Sequence, residues 1–180
     1  MSSKLSGILD KMMSVETMLV DTVESLSQMS FQNFSIVDAA KETASGSGSI
    51  VSDTKASNGV ARQFTSTSSA QTIFSCNFSD VMFGNYALCI RVQASANTST
   101  SDVLTLKVKR GSTELLSKGV KGNNFSKTDN YCYFCATFNY DGTTSAKEPL
   151  TFSLNTTAVS GIKFNFDYAY ITLITPAVYI

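Results

Sequence analysis

From Thr72 to Thr175 the apolar residues recur with a period of two, and that pattern constrains the chain more than any other. Alternation sends successive side chains to opposite faces of a strand, so each such segment has one apolar face that must be covered. "TIFSCNFS" sets Thr72, Phe74, Cys76 and Phe78 against Ile73, Ser75 and Asn77. "YALCIRVQA" sets Leu88, Ile90 and Val92 against Ala87, Cys89, Arg91 and Gln93. "DVLTLKVKR" turns Leu104, Leu106 and Val108 inward, and "TELLSKGV" follows across an "RGS" turn, which makes 102–120 a hairpin. "YCYFCATFNY" (131–140) is aromatic on both phases, as expected of a central strand covered on both faces. "PLTFSLN" and "GIKFNFDYAYITLIT" complete the set. In the last, Ile162, Phe164, Phe166, Tyr168 and Tyr170 share one face before Ile171 and Leu173 take over the other, which predicts a bulge near Tyr170. About seven strands with Gly, Asn, Asp and Ser in the turns predict an antiparallel β-sandwich over residues 72–180. The absence of a Cys…Trp…Cys pattern makes it jelly-roll-like and not immunoglobulin-like.

The front of the chain follows another period. With Leu5 at heptad position a, Leu5, Met12, Leu19 and Leu26 fall at a, and Ile8, Val15, Thr22 and Met29 fall at d. Such a stripe predicts an amphipathic coiled-coil helix, a rod of about 37 Å at about 1.5 Å per residue. Leucine at a with β-branched residues at d favours more than two strands, so a homotrimer is the expected oligomer. The plainer alternative is a helix that packs along its own domain. Residues 1–42 form this oligomerisation and anchoring segment, and 43–71, rich in Ser, Thr, Gly and Ala, follow. The latter read equally as a flexible neck or as loops of the sandwich, with "SIVSD" as a first weak strand.

Composition removes several function classes. Fourteen basic residues balance fourteen acidic ones, so the basic excess of a nucleic-acid binder is missing. With no histidine, neither a Ser-His-Asp nor a Cys-His arrangement can form, and the commonest metal ligand is absent. No apolar run is long enough to span a membrane, and Glu16 and Asp21 interrupt the only signal-like segment. The expected place of synthesis is a cytoplasm, where Cys76, Cys89, Cys132 and Cys135 would remain thiols. "CYFC" (132–135) lacks a second pair to complete a metal site, and a strand would send its two cysteines to opposite faces, so buried structural thiols are expected. Asp80, Asp102, Glu114, Glu148 and Asp167 are scattered and read as surface charges or turn residues, so no catalytic pair is assigned.

Two polar loops carry the candidates for touching a glycan. "KGNNFSKTDNY" offers Asn123, Asn124, Asp129, Asn130 and Tyr131, and "FNYDGTTS" offers Tyr140 and Asp141. Amides and carboxylates suit sugar hydroxyls, and an aromatic ring suits a sugar face. The plainer reading is turn chemistry, which selects the same residues. Calcium would draw on the same carboxylates but needs six or more oxygens, so no metal and no cofactor is assigned.

As a layout, the leading helix, the Ser/Gly/Thr-rich neck and the terminal sandwich resemble small virion proteins of tailed bacteriophages: head fibres, capsid decoration proteins and baseplate or tail-fibre tips. "FGNYALCIRVQASANTSTSDVLTLKVKRGSTELLSKGV" is similar to the jelly-roll modules of such appendages. The resemblance implies a structural, non-enzymatic homo-oligomer. It would be assembled in the host cytoplasm, anchored to capsid or baseplate proteins of the virion, and free to touch host surface glycans. The alternative function is a carbohydrate-binding or adhesin module.

Overall fold

The structure, a computed structural model, describes residues 34–40, 45–78, 81, 83–141 and 149–176. The eight heptad residues, Leu5 to Met29, lie outside the described residues, as does the apolar end at 177–180. Ten strands are described: β1 (Phe34–Asp38), β2 (Ser49–Ser52), β3 (Val60–Thr65), β4 (Thr72–Phe78), β5 (Gly84–Ala94), β6 (Asp102–Arg110), β7 (Thr113–Lys121), β8 (Cys132–Tyr140), β9 (Leu150–Thr156) and β10 (Lys163–Pro176). Among the described residues one 3-10 turn occupies Gly122–Asn124. The strands form two antiparallel sheets, one of six strands in the order β2-β3-β10-β5-β8 with β1 also on β10, and one of four in the order β4-β9-β6-β7. No helix among the described residues is long and apolar enough to cross a membrane.

Apolar alternation closes the two sheets on each other. Phe74, Leu104, Leu106, Phe152 and Leu154 of the small sheet meet Leu88, Ile90, Val92, Phe164, Phe166 and Ile171 of the large one, all essentially removed from water. The centre is aromatic: the Phe166 ring lies 4.8 Å from Phe74 and 6.2 Å from Phe152 by centroid. Such tilted pairs add to the area term of burial.

The sandwich starts earlier than residue 72. β1, β2 and β3 all join the large sheet, so residues 49–52 and 60–65 are strands and not a neck; the loop alternative, with "SIVS" as a strand, describes this region. β3 pairs with Lys163–Phe166 and β1 with Tyr168–Thr172, so the two lie end to end along the edge of β10 that β5 leaves open. Gly46 and Gly48 let the connecting segment lie close to β4. A Cβ at Gly46, whose φ is +128°, would come within 2.4 Å of the Ile73 carbonyl oxygen, and one at Gly48 within 2.6 Å of Arg62 Cγ.

Two strand readings change. β8 is an edge strand, not a central one: among the described strands it pairs with β5 alone, Phe138 and Tyr140 turn inward, and Tyr133, Cys135, Thr137 and Asn139 turn to solvent. The aromatic residues of its outer phase are there because that face carries exposed rings. β10 carries two register irregularities against β5, at Asp167 and between Leu173 and Thr175, and neither is at Tyr170: Phe166 pairs with Val92 and Tyr168 with Arg91, leaving Asp167 as the extra residue at the first. The phase therefore flips three residues early. Phe164 and Phe166 point inward, then Ala169 and Ile171 do, and Tyr168 and Tyr170 are turned to the outer face.

The cysteines also differ from expectation. Cys89 and Cys135 stand directly opposite each other on β5 and β8, with Cα atoms 4.2 Å apart, and form a disulfide. Cys132 takes the opposite phase from Cys135, as a strand requires, and Cys76 stays in the core as a thiol.

Candidate functional site: a tyrosine ledge on the large sheet

Strand register builds the outer face of the large sheet in rows. Tyr133 of β8, Arg91 of β5, Tyr168 of β10 and Asp38 of β1 are aligned across four strands. The next row is Cys135, Cys89, Tyr170 and Ile36. The tyrosines lean together over these rows. Tyr133 and Tyr168 lie 6.5 Å apart by ring centroid in an edge-to-face arrangement, and Tyr168 and Tyr170 lie 6.4 Å apart. The Tyr133 and Tyr168 hydroxyls share a hydrogen bond of 3.0 Å. That bond, followed by partial burial, pushes the Tyr168 phenol up to about 12. Tyr168 therefore stays neutral through the physiological range. Tyr133 is 59% exposed and Ile36 53%, so the ledge presents apolar surface to water.

Beside the ledge lies a polar scaffold fixed by the loop that joins β2 to β3 (residues 53–59). Asp167, completely buried, is ion-paired with Arg91 and accepts hydrogen bonds from the Ser57 amide and hydroxyl. The Arg91 guanidinium also donates to the Lys55 carbonyl at 3.1 Å and stacks 4.2 Å over the Tyr131 ring. One oxygen of Asp53, Oδ2, receives three donors: the Tyr131 hydroxyl at 2.8 Å, Asn165 Nδ2 at 2.8 Å and Gln93 Nε2 at 3.2 Å. The Lys55 amide donates to Oδ1 at 2.9 Å, the local turn for which aspartate is suited. Gly59 closes the loop with a φ of +80°.

Burial alone would raise the Asp53 carboxyl. The bonds from Asn165, the Lys55 amide and Tyr131, with the Lys55 charge, outweigh it and hold the group below its ordinary value. A carboxyl lowered on folding stabilises the fold above its unfolded pKa of about 4, and that contribution fades as pH falls through the lower folded value. Burial, then the bond to the Asp53 carboxylate, pushes the Tyr131 phenol well above its usual range.

The loop candidates from the sequence separate. Tyr131 joins the scaffold, and Asp129 lies beside it, its carbonyl receiving Lys55 Nζ at 2.8 Å and its φ of +55° marking a turn that tolerates aspartate. Asn130, half-buried, lies between them. Asn123 and Asn124 belong to the 3-10 turn, where Asn124 Oδ1 caps the Lys121 amide at 3.0 Å. Tyr140 is a core residue, 1% exposed and 4.7 Å from the Phe83 ring, so it is not available to a ligand. Asp141 accepts from Arg110 Nη1 at 3.0 Å at the far end of β8 from Tyr131.

Asp167 is not a surface charge but the buried centre of the scaffold. Its signal in the sequence was an acid at the phase change of an aromatic strand. Arg91, Tyr133, Tyr168 and Tyr170 were also missed, because only register brings them together. Among the described residues no group of three or more Cys, Asp or Glu side chains is placed to hold a metal.

No family model matches the chain, and no curated protein matches it. Among solved structures it is similar to the CBM36-1 domain of a multidomain xylanase from the hindgut metagenome of Trinervitermes trinervoides. The two are 17% identical with a TM-score of 0.50, over 81% of this chain and 100% of that one. It is also similar to the Agl-KA catalytic domain structure, at 9% identity and a TM-score of 0.52, covering 83% of this chain. A third similar structure is the exo-β-1,3-galactanase of Phanerochaete chrysosporium with galactose, at 14% identity, a TM-score of 0.50 and 77% coverage of this chain. This chain spans only 29% of the length of each of the latter two. At such identities the shared property is the fold, a jelly-roll-like antiparallel β-sandwich.

Proposed function

We propose that the sandwich binds a glycan on the outer face of its large sheet, across Tyr133, Tyr168 and Tyr170. The observation that carries this reading is the ledge itself: three tyrosines from two strands, Tyr133 exposed and edge to face with Tyr168, and Tyr170 tilted against Tyr168, all on the outer face. Exposed rings fixed in this way suit the apolar face of a pyranose, and their hydroxyls suit its polar rim. The scaffold of Arg91, Asp167, Asp53 and Tyr131 holds the strands that carry them. A fold shared with a CBM36-1 domain of a xylanase supports the same reading. Asp53 and Asp167 are each held by several donors, which suits a structural role for both beneath a binding face. The test is a glycan array followed by calorimetry on the best ligand. Tyr133→Ala should weaken that ligand by about tenfold or more, the scale at which stacked aromatic anchors act, while Tyr140→Phe should leave affinity unchanged. Equal affinity in wild type and Tyr133→Ala would remove the ledge from the site.

The heptad of residues 5–29 favours a second, compatible element: several sandwiches presented together, so that weak contacts add through avidity. We propose a homotrimer anchored to capsid or baseplate proteins on a tailed-phage virion as the setting. The Cys89–Cys135 bond fits an exterior, oxidising location for the finished protein. Light scattering of the full chain, against one beginning at residue 34, is expected to give a trimer and a monomer; a monomeric full chain would refute the assembly.

A further inference from the structure

We propose that the hollow beside the ledge receives an uncharged sugar ring and disfavours anionic ones, with Asp38 as the residue that sets the preference. The inference rests on the glycan-binding reading above and names the ligand class for that site. The hollow is shallow and open to solvent, about 430 Å³, and is lined by Ile36, Asp38, Ala40 and Asn58. Register ties it to the ledge, since Ile36 pairs with Tyr170 and Asp38 with Tyr168. A ligand crossing the tyrosines toward β1 therefore arrives at Asp38.

The carboxylate is held in place from two sides. Asp38 Oδ1 accepts from the Ala40 amide at 2.7 Å, and Oδ2 accepts from Asn58 Nδ2 at 2.7 Å. An ionised carboxylate has room for about four hydrogen bonds and cannot donate. Each oxygen thus keeps capacity for a hydroxyl donor, which every neutral sugar supplies. A second carboxylate or a sulfate supplies only acceptors and a like charge.

The surrounding charges do not reverse this. Arg91 is committed to Asp167, and Lys55 lies beside Asp53 and donates to the Asp129 carbonyl. Arg62 reaches the Ala39 carbonyl from inside the sandwich, at 3.0 Å, with its guanidinium over the Phe74 ring. Among the described residues Asp38, Asp53, Asp129 and Asp167 are matched in number by Lys55, Arg62, Arg91 and Lys127, and three of these cations are already engaged. Lys163 stands five residues before Tyr168 on β10, roughly 16 Å at about 3.3 Å per residue, too far to touch a ring seated at Asp38. No ion pair among the described residues engages Asp38.

The experiment compares matched oligosaccharides that differ only in a carboxylate, such as gluco- and glucurono-forms of one linkage, drawn from every linkage on the array. The wild-type chain should prefer the neutral member by about tenfold or more at low ionic strength, and the preference should shrink as salt rises. Asp38→Asn should reduce the preference to about threefold or less, with an unchanged melting temperature as the check on folding. Equal or tighter binding of the anionic member by the wild type, or a preference insensitive to both salt and Asp38→Asn, would overturn the inference while leaving glycan binding intact. Retention of no oligosaccharide of either class would overturn the glycan reading and this inference with it.

Discussion

Phe166→Ala is expected to cost about 4 kcal/mol of stability, the scale of a large-to-small change at a site that cannot collapse. Phe166 is fully buried, touches the Phe74 and Phe152 rings, and is flanked by β5 and β3 through the backbone of β10. Rigid strands on both sides leave the cavity open. For a domain of this size each kcal/mol shifts the melting temperature by about 3 °C, so a fall of about 12 °C should appear in a thermal scan. Phe166→Leu, which keeps most of the volume, should lose far less. A fall below about 3 °C for the alanine variant would mean that the aromatic centre is not where the two sheets are held.

The second large effect is expected from the disulfide. Cys89 and Cys135 are 46 residues apart in sequence, and closing a loop of that length removes unfolded-state entropy worth about 4 kcal/mol in the chain-entropy account. Measured bridges commonly deliver about 2–4 kcal/mol. Among the described strands β8 has only β5 as a sheet neighbour, so the bond also fastens an edge strand that carries Tyr133. The double variant Cys89→Ser, Cys135→Ser, and the wild-type protein in a thiol reductant, should each melt about 10 °C lower than the oxidised wild type. Coincident melting with and without reductant would show that the two sulfurs are not bonded in solution.

The parts of the fold that depend on local pattern were legible in the sequence. Alternation identified both faces of β5 and of β6, and the "RGS" turn identified the β6–β7 hairpin. Where local pattern and long-range pairing diverge, the sequence misled. β8 looked central because Phe134 and Tyr133 occupy opposite phases, yet a ring on the outer phase also serves an exposed ledge. The phase change in β10 was visible, but its position was not, because a bulge at Asp167 is defined by which partner residue is skipped on β5. Ser- and Gly-rich composition hid β3 and left β2 as one of two equal readings, because their strand state comes from long-range pairing, β2 with β3 and β3 with β10.

The site was legible only in fragments. Asp129 and Tyr131 were named for their side chains, and Tyr131 alone joins the scaffold through one. Its partner Asp53 lies 78 residues away, and Arg91 is 76 residues from Asp167. No spacing rule reaches that far. Tyr140 shows the converse error: an aromatic residue beside a polar turn looked like a ligand contact, while the strand phase places it in the core.

The most direct test of the central claim is a two-dimensional NMR titration of the protein with the strongest ligand from the array, following the tyrosine ring signals residue by residue. Glycan binding on the ledge predicts saturable shifts at Tyr133, Tyr168 and Tyr170, with Tyr140 and the 3-10 turn at Gly122–Asn124 unmoved. Shifts confined to that turn, or to the outer face of the small sheet, with the three ledge tyrosines silent, would contradict it.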